Sequence, residues 1–406
     1  MTQLFGVQRA PGTVLFGEGQ RHAIGALASP FGKRALICTD TRFAASPDMQ
    51  EMLAHLRASG VATEVFDGTQ AELPLDNIHA CVERHRAHLP DMVIGIGGGS
   101  CLDMAKLVSL ALTYPNLSLD AFYGELKVPG PILPVIAIPT TSGTGSEVTP
   151  VAVLADSARD MKVGISSPFL IPRIAICDPE LTLTCPPGLT AVSGADALTH
   201  AVESFMAVRR PAASDIALTR VFVGKNCLSD THALAAIEAI FRYLPTAVAD
   251  GQNWEARSMM MFASLSAGLA FSTAGTAAAH AIQYPVGALT HTAHGLGVAT
   301  MLPYVMAFNA RHCAQELARI AHVTGCARDD EQATARCVID KTRALLTTIG
   351  IPATLADLGV QEDQLAWIAK QSLLSTRLID NNPRKLDPDA LQTLVVAAFR
   401  GEAIAI

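Results

Sequence analysis

Through its first ~185 residues the chain alternates short strand-like runs with longer stretches at helical spacing, a rhythm that admits few folds. ALIC (Ala35–Cys38), ATEVF (Ala62–Phe66), MVIGIG (Met92–Gly97), PILPVIAIP (Pro131–Pro139) and RIAIC (Arg173–Cys177) are the strand candidates. Asp48–Ser59, Leu75–His88 and Ser100 to about Thr113 lie between them and carry apolar residues at helical intervals. Near-continuous apolar strands separated by helices predict a parallel sheet covered on both faces. Val148–Leu154 and Met161–Ile165, separated by ADSARD, predict a β-hairpin. After CPPGLT (Cys185–Thr190) the rhythm changes to long Ala/Leu-rich segments at helical spacing. The boundary is placed near Thr184, giving an α/β domain over 1–184 and an all-helical domain over 185–406.

At 406 residues, half of them apolar and 17% charged, the chain can build a core for each domain. Its net charge of −7 argues against a nucleic-acid surface, which needs a basic patch. The nine cysteines are scattered without a CxxC, as expected of reduced thiols in a cytoplasmic protein. MTQLFGVQRAPG has neither the apolar core nor the cleavage site of a signal peptide. Between Arg257 and Arg311 no Asp, Glu, Lys or Arg occurs. That stretch is far longer than the ~20 residues of a membrane span. Pro285, Pro303 and its histidines interrupt it, so a buried central helix followed by a ligand-bearing loop is expected rather than a membrane segment.

Two loops in the first half carry nucleotide chemistry. GIGGGSCLDMAK (Gly95–Lys106) follows a predicted strand and opens a predicted helix. Its glycines Gly97, Gly98 and Gly99 let backbone approach a pyrophosphate, and a helix N-terminus offers N–H groups and a positive dipole end. Ser100 and Asp103 are read as cofactor-binding residues of this loop, and they also stand at the spacing of a capping box, a purely structural alternative. PTTSGTGSE (Pro139–Glu147) follows the next strand and offers the hydroxyls of Thr140, Thr141, Ser142 and Thr144 to phosphate or ribose, or serves as an ordinary polar loop. Asp40, after ALICT, is placed to accept from a ribose 2′-OH and to repel a 2′-phosphate, which favours NAD over NADP; alternatively it is a turn residue.

The second half carries a set of metal-ligand type. Asp196 and His200, four apart in GADALTHAVES, share a helix face. His280 is expected near the end of the long buried helix, with Pro285 and Gly287 turning the chain so that His294 returns. One carboxylate and three imidazoles suit Fe(II) or Zn(II) and are too nitrogen-rich for Mg or Ca. The alternative for any one of them is a hydrogen-bonded core histidine.

Together GGGSCLDMAK, PTTSGTGSEVT, GADALTHAVES, HAIQYPVG…HG and NNPR (Asn381–Arg384) closely resemble the iron-containing (group III) alcohol dehydrogenase family, in order and over almost the whole chain. The resemblance implies a dinucleotide-binding α/β domain followed by an all-helical metal-binding domain, and a homodimer. By position it makes Asp196, His200, His280 and His294 the metal ligands and Gly97–Ser100 the pyrophosphate loop. It gives Asp40 to the adenosine ribose, Thr140, Thr141 and Thr144 to the second cofactor loop, Lys162 to the cofactor side and Phe271 to the substrate pocket. Relatives often have a further His four residues after the third ligand, and this chain has Tyr284 there. The proton route then runs through Tyr284, through His291, or through the cofactor ribose and water.

These parts predict hydride transfer between NAD(H) and a small alcohol or aldehyde whose oxygen the metal activates. Rival readings on the same scaffold are a transhydrogenase with tightly held NAD and a non-redox lyase. A nucleotide-binding regulatory protein is the reading from another class. Arg209 and Arg210 either attract an anionic substrate or form a solvated helix end.

Overall fold

The computed structural model describes residues 4–156, 158–159 and 161–405. By internal contacts these fall into two units, described in turn.

The first unit gathers Arg9–Thr184 with Ala217–Val221. Its strands are β1 (Thr13–Phe16), β2 (Arg34–Cys38), β3 (Ala62–Phe66), β4 (Met92–Gly97), β5 (Gly124–Glu125), β6 (Val135–Pro139), β7 (Val151–Asp156), β8 (Met161–Ser166) and β9 (Ile174–Cys177). Its helices are α1 (Ile24–Ala28), α2 (Thr41–Ala44), α3 (Pro47–Ala58), α4 (Leu75–His85) and α5 (Gly99–Thr113). Six strands form one sheet in the order β1-β9-β6-β4-β2-β3, every neighbouring pair parallel. Side chains alternate across it, as strand geometry requires. Ala35, Ile37, Ile94, Ile96, Ile136 and Ile138 pack with Ile24, Met49, Met52 and Leu56 of α1 and α3. Leu36, Cys38 and Val93 point the other way, into a cluster with Ile78, Met104, Leu107 and Val108 of α4 and α5.

β7 and β8 pair antiparallel as the hairpin reading predicts, and β5 completes a three-stranded sheet. Ser157 and Asp160 of the ADSARD segment lie outside the described residues. The fourth strand is shorter than PILPVIAIP, because Pro131 and Pro134 supply no N–H to a ladder and β6 starts at Val135. Edge strand β1 follows Pro11-Gly12 and escaped the pattern reading.

The second unit gathers the chain as far as Gln8 with Cys185–Ile216 and Phe222–Ile406. The helices of the second half of the chain are α6 (Pro187–Met206), α7 (Ile216–Thr219), α8 (Cys227–Ala249), α9 (Trp254–Ala274), α10 (Ala278–Thr290), α11 (His294–Asn309), α12 (Ala314–Thr324), α13 (Glu331–Thr348), α14 (Leu365–Ser372), α15 (Thr376–Asn381) and α16 (Pro388–Arg400). Specific hydrogen bonds explain both excursions across the Thr184 boundary. The Arg9 guanidinium donates to the carbonyls of Ala217, Arg220 and Val221, which draws Ala217–Val221 into the sheet unit. Cys227 N donates to Phe5 O and the Gln8 amide to Leu269 O, holding the N-terminal segment to the helices.

The charge-free stretch differs from its expectation. It is not one helix and a loop but α9, α10 and α11 in succession. Pro285 and Gly287 lie inside α10, and the turn falls at His291, a C-cap residue in left-handed conformation (φ 53). A helix tolerates a proline when neighbouring packing supports it, and Pro285 sits buried. No helix among the described residues is long and apolar enough to cross a membrane. All nine cysteines are free.

Candidate metal centre and nucleotide loops

The four ligand candidates come from three helices of the helical unit. Asp196 and His200 lie one turn apart on α6, with His200 Nε2 3.6 Å from Asp196 Oδ1. His280 sits in the first turn of α10, and His294 is the first residue of α11. One ligand atom each from Asp196, His280 and His294 lies within 4.8 Å of the others. The His200 ring stacks on His280 at 4.9 Å, and His280 lies 5.2 Å from His294, centroid to centroid. Asp196, His200 and His280 are buried. Gly295 makes the approach possible: a Cβ there would stand 2.6 Å from Val192 O and 3.0 Å from Asp196 Cβ, so only glycine lets α11 start so close to α6.

Glu203 is the residue the sequence reading missed. Its buried carboxylate accepts from Ala277 N at 2.9 Å and Ala279 N at 2.6 Å, capping α10, and from His280 Nδ1 at 2.7 Å. A carboxylate suits the positive end of a helix, and the same group fixes the imidazole tautomer with its proton on Nδ1. His280 Nε2 is left buried without a hydrogen-bond partner. A buried acceptor of that kind costs about 1–3 kcal/mol unless something occupies it. The donor set and this bare nitrogen fit a divalent iron or zinc ion. The signal was present: Glu203 lies seven residues after Asp196 and three after His200, on the same face of α6.

Phe271 on α9 stacks on the His200 ring at 4.3 Å, and the Tyr284 ring lies 6.2 Å from that of His294. His291 is not drawn into the cluster; it stays exposed at the α10–α11 turn. NNPR supports the scaffold. The Asn381 amide donates to Ala274 O and Thr276 O at the break between α9 and α10, and Asn382 pairs reciprocally with Asn309 at 2.9 Å. Arg209 faces Asp230 at 3.8 Å and Arg210 donates to Asp380 O.

In the sheet unit the glycine loop joins β4 to α5. Gly97 has φ 148, open to glycine alone, and a Cβ on Gly99 would stand 2.6 Å from Thr144 Cγ2. The two loops therefore touch through the space of an absent side chain. The capping-box alternative fails: Gly98 is the N-cap and no side chain caps α5. Ser100 is half-buried beside it. Asp103 instead accepts from Ser146 Oγ at 2.5 Å and from Val153 N at 2.9 Å, lashing α5 to the second loop and to β7. Both of its oxygens are engaged this way, so it supports the loops from behind. Thr140 is buried with its N–H on Gly97 O at 2.9 Å, while Thr141 and Ser142 are half-buried. Asp40 Oδ1 caps α2 by accepting from Phe43 N at 2.8 Å, and Oδ2 points towards Gly97. Lys162 pairs with Glu72.

Lys106, wholly buried on α5, donates to Thr149 O at 3.0 Å and Val151 O at 2.8 Å, reinforcing the lashing. Burial lowers its pKa to about 8. Burial likewise raises that of Glu147, the last residue of the second loop, to about 7.

The sheet unit thus carries a glycine loop at a helix N-terminus, and the helical unit carries a buried Asp/His cluster. Comparison with known proteins makes this specific. Residues 11–179 match the model of the iron-containing alcohol dehydrogenase family, and residues 190–399 that family's C-terminal model. The chain belongs to the iron-containing alcohol dehydrogenase family and is an oxidoreductase of that family. It is 35% identical over 378 residues to long-chain-alcohol dehydrogenase 1 of Geobacillus thermodenitrificans, covering 92% of this chain and 91% of that one. It is 32% identical to NAD-dependent methanol dehydrogenase of Bacillus methanolicus, covering 92% and 94%. The crystal structure of a 1,3-propanediol oxidoreductase superposes with a TM-score of 0.89 at 31% identity, covering 97% of this chain and all of that one.

Proposed function

We propose that the chain interconverts a small alcohol and its aldehyde with NAD(H), using a divalent metal held by Asp196, His200, His280 and His294. The observation that carries this is His280: Glu203 holds its Nδ1 proton, and its bare Nε2 faces the buried ligand cluster. When bound, iron or zinc supplies Lewis acidity towards oxygen, and the nicotinamide dinucleotide gives or takes the hydride. Gly97, Gly98, Gly99 and Ser100 bind pyrophosphate with backbone N–H groups at the α5 terminus. Thr140, Thr141, Ser142 and Thr144 add hydroxyl donors, and Lys162 adds positive charge beside them. Asp40 accepts from the adenosine ribose. Phe271 screens the imidazole cluster from water, and the Tyr284 hydroxyl carries the proton of the alcohol towards solvent, with exposed His291 as the outer acceptor. The relatives above carry dehydrogenase or oxidoreductase names, and nothing in them favours a transhydrogenase or a lyase. We place the enzyme in the cytoplasm as a homodimer.

Anaerobic NADH oxidation against a panel of small aldehydes, with chelator-stripped, Fe(II)-loaded and Zn(II)-loaded protein, tests this reading. Turnover should require metal and should vanish, together with the ion of the Asp196/His200/His280/His294 cluster, in His280→Ala. Undiminished turnover by the stripped protein would overturn it.

A further inference from the structure

A second imidazole–carboxylate cluster lies in the sheet unit. Glu51 and His55 are one turn apart on α3, and His22 lies on the 3-10 turn Gln20–Ala23. His22 Nε2 stands 3.1 Å from Glu51 Oε1, and the rings of His22 and His55 are 5.3 Å apart. One ligand atom from each of the three residues lies within 4.8 Å of the others. We infer that His22, Glu51 and His55 form a second divalent-cation site of zinc type, distinct from the cluster on α6, α10 and α11.

Three features favour an ion over a plain His–Glu pair. The first is the donor set. Two imidazoles and one carboxylate suit Zn(II), Co(II) or Ni(II), with water completing the shell. The second is charge. Arg21 is ringed by Asp48 at 3.5 Å, Glu51 at 3.2 Å, Asp178 at 2.9 Å and Glu180, so four carboxylates surround one guanidinium. That surplus of negative charge offsets the repulsion Arg21 would exert on a cation at Glu51. The third is rigidity. Gly25 of α1 packs so close to α3 that a Cβ would stand 2.3 Å from His55 O. The turn carrying His22 runs directly into α1, and Arg21 pins it from below. The backbone that carries the ligands is therefore set before an ion arrives, which lowers the ordering cost of binding. Glu51 divides its oxygens, Oε2 to Arg21 and Oε1 free to exchange His22 for a metal.

The test is a count of bound ions in the full chain. Chelator-stripped wild type, His22→Ala, His55→Ala and His280→Ala are dialysed against Zn(II), and visible absorption is followed on Co(II) titration. His22→Ala and His55→Ala should each hold one ion fewer than wild type. His280→Ala should keep the Co(II) absorption that the other two lose. The proposal is overturned if both histidine variants bind as many ions as wild type, or if His280→Ala loses all binding. It is equally overturned if the variants merely lower the melting temperature in chelator without changing the count, the result of a plain ion pair. An unchanged count in His280→Ala would instead strike the metal-centre reading and leave this site standing. His22 is exposed, so its replacement by alanine provides a variant that folds should His55→Ala not.

Discussion

Glu203 joins a helix cap to an imidazole with one carboxylate. Glutamine at this position offers a single accepting oxygen to three donors, the N–H groups of Ala277 and Ala279 and the Nδ1–H of His280. Glu203→Gln should weaken metal binding by about 10–100-fold, the usual effect of disturbing a partner of a ligating histidine. It should also cost about 1 kcal/mol from the weakened cap. Metal content after dialysis and urea unfolding read the two effects separately. Burial sets a second residue-scale expectation. Glu147 is pushed from 4.5 up to about 7, so between those values the folded chain keeps a proton that the unfolded chain has released. Stability contributed by this group therefore falls as pH rises across that window. Lys106, lowered from 10.5 to about 8, acts in the next window with the opposite sign, since there the unfolded chain holds the extra proton and stability grows with pH. Melting curves of Glu147→Gln against wild type should show the variant gaining ground from about pH 4.5 to about pH 7. A difference independent of pH would refute the buried-carboxyl account.

Between elements, contact without side chains matters as much as contact with them. The glycine loop and the threonine loop meet where Gly99 has no Cβ, 2.6 Å from Thr144 Cγ2. Gly99→Ala should cost about 1–3 kcal/mol by overpacking. Thr144→Ser, which removes the clashing methyl, should recover much of that loss in the double variant, measured as a coupling energy by urea unfolding. Additive effects would mean that the loops do not touch as described. Such contacts are poorly legible in sequence. β2, β4 and β9 could be read to within a residue or so because their side chains are largely buried on both faces, and β3 could be read from ATEVF although it is a half-exposed edge, whereas β1, largely exposed at the other edge, could not. The ligand cluster could be read because spacing on α6 is a local property. Asp103 could be misread because its partners, Ser146 and Val153, are 43 and 50 residues away. The α9–α10 break was hard to read for a like reason: Asn381 satisfies the buried carbonyls of Ala274 and Thr276 there from 107 and 105 residues downstream.

At the scale of the whole chain, the two units have separate cores, and the proposed function expects each to respond to its own ligand. In a His55→Ala background, which removes the second cation site, loading Fe(II) should slow amide exchange in α6, α10 and α11 and leave β2, β4 and α5 unchanged. NAD alone should protect β4, α5 and the loop after β6. Metal-dependent protection of α5 in place of α6 would contradict the division of labour. The break at Ala274–Ala278 has one more consequence, for the newborn chain. Residues 258–310 contain no Asp, Glu, Lys or Arg, so a ribosome delivers three apolar helices whose only charges, Glu255 and Arg257, stand in the first turn of α9. Asn381 and Asn382, whose amides close Ala274 O, Thr276 O and Asn309, are translated last among these partners. For the time it takes to add those residues, the most water-averse part of the molecule waits for its final fastening, and that interval is when this enzyme most needs a chaperone.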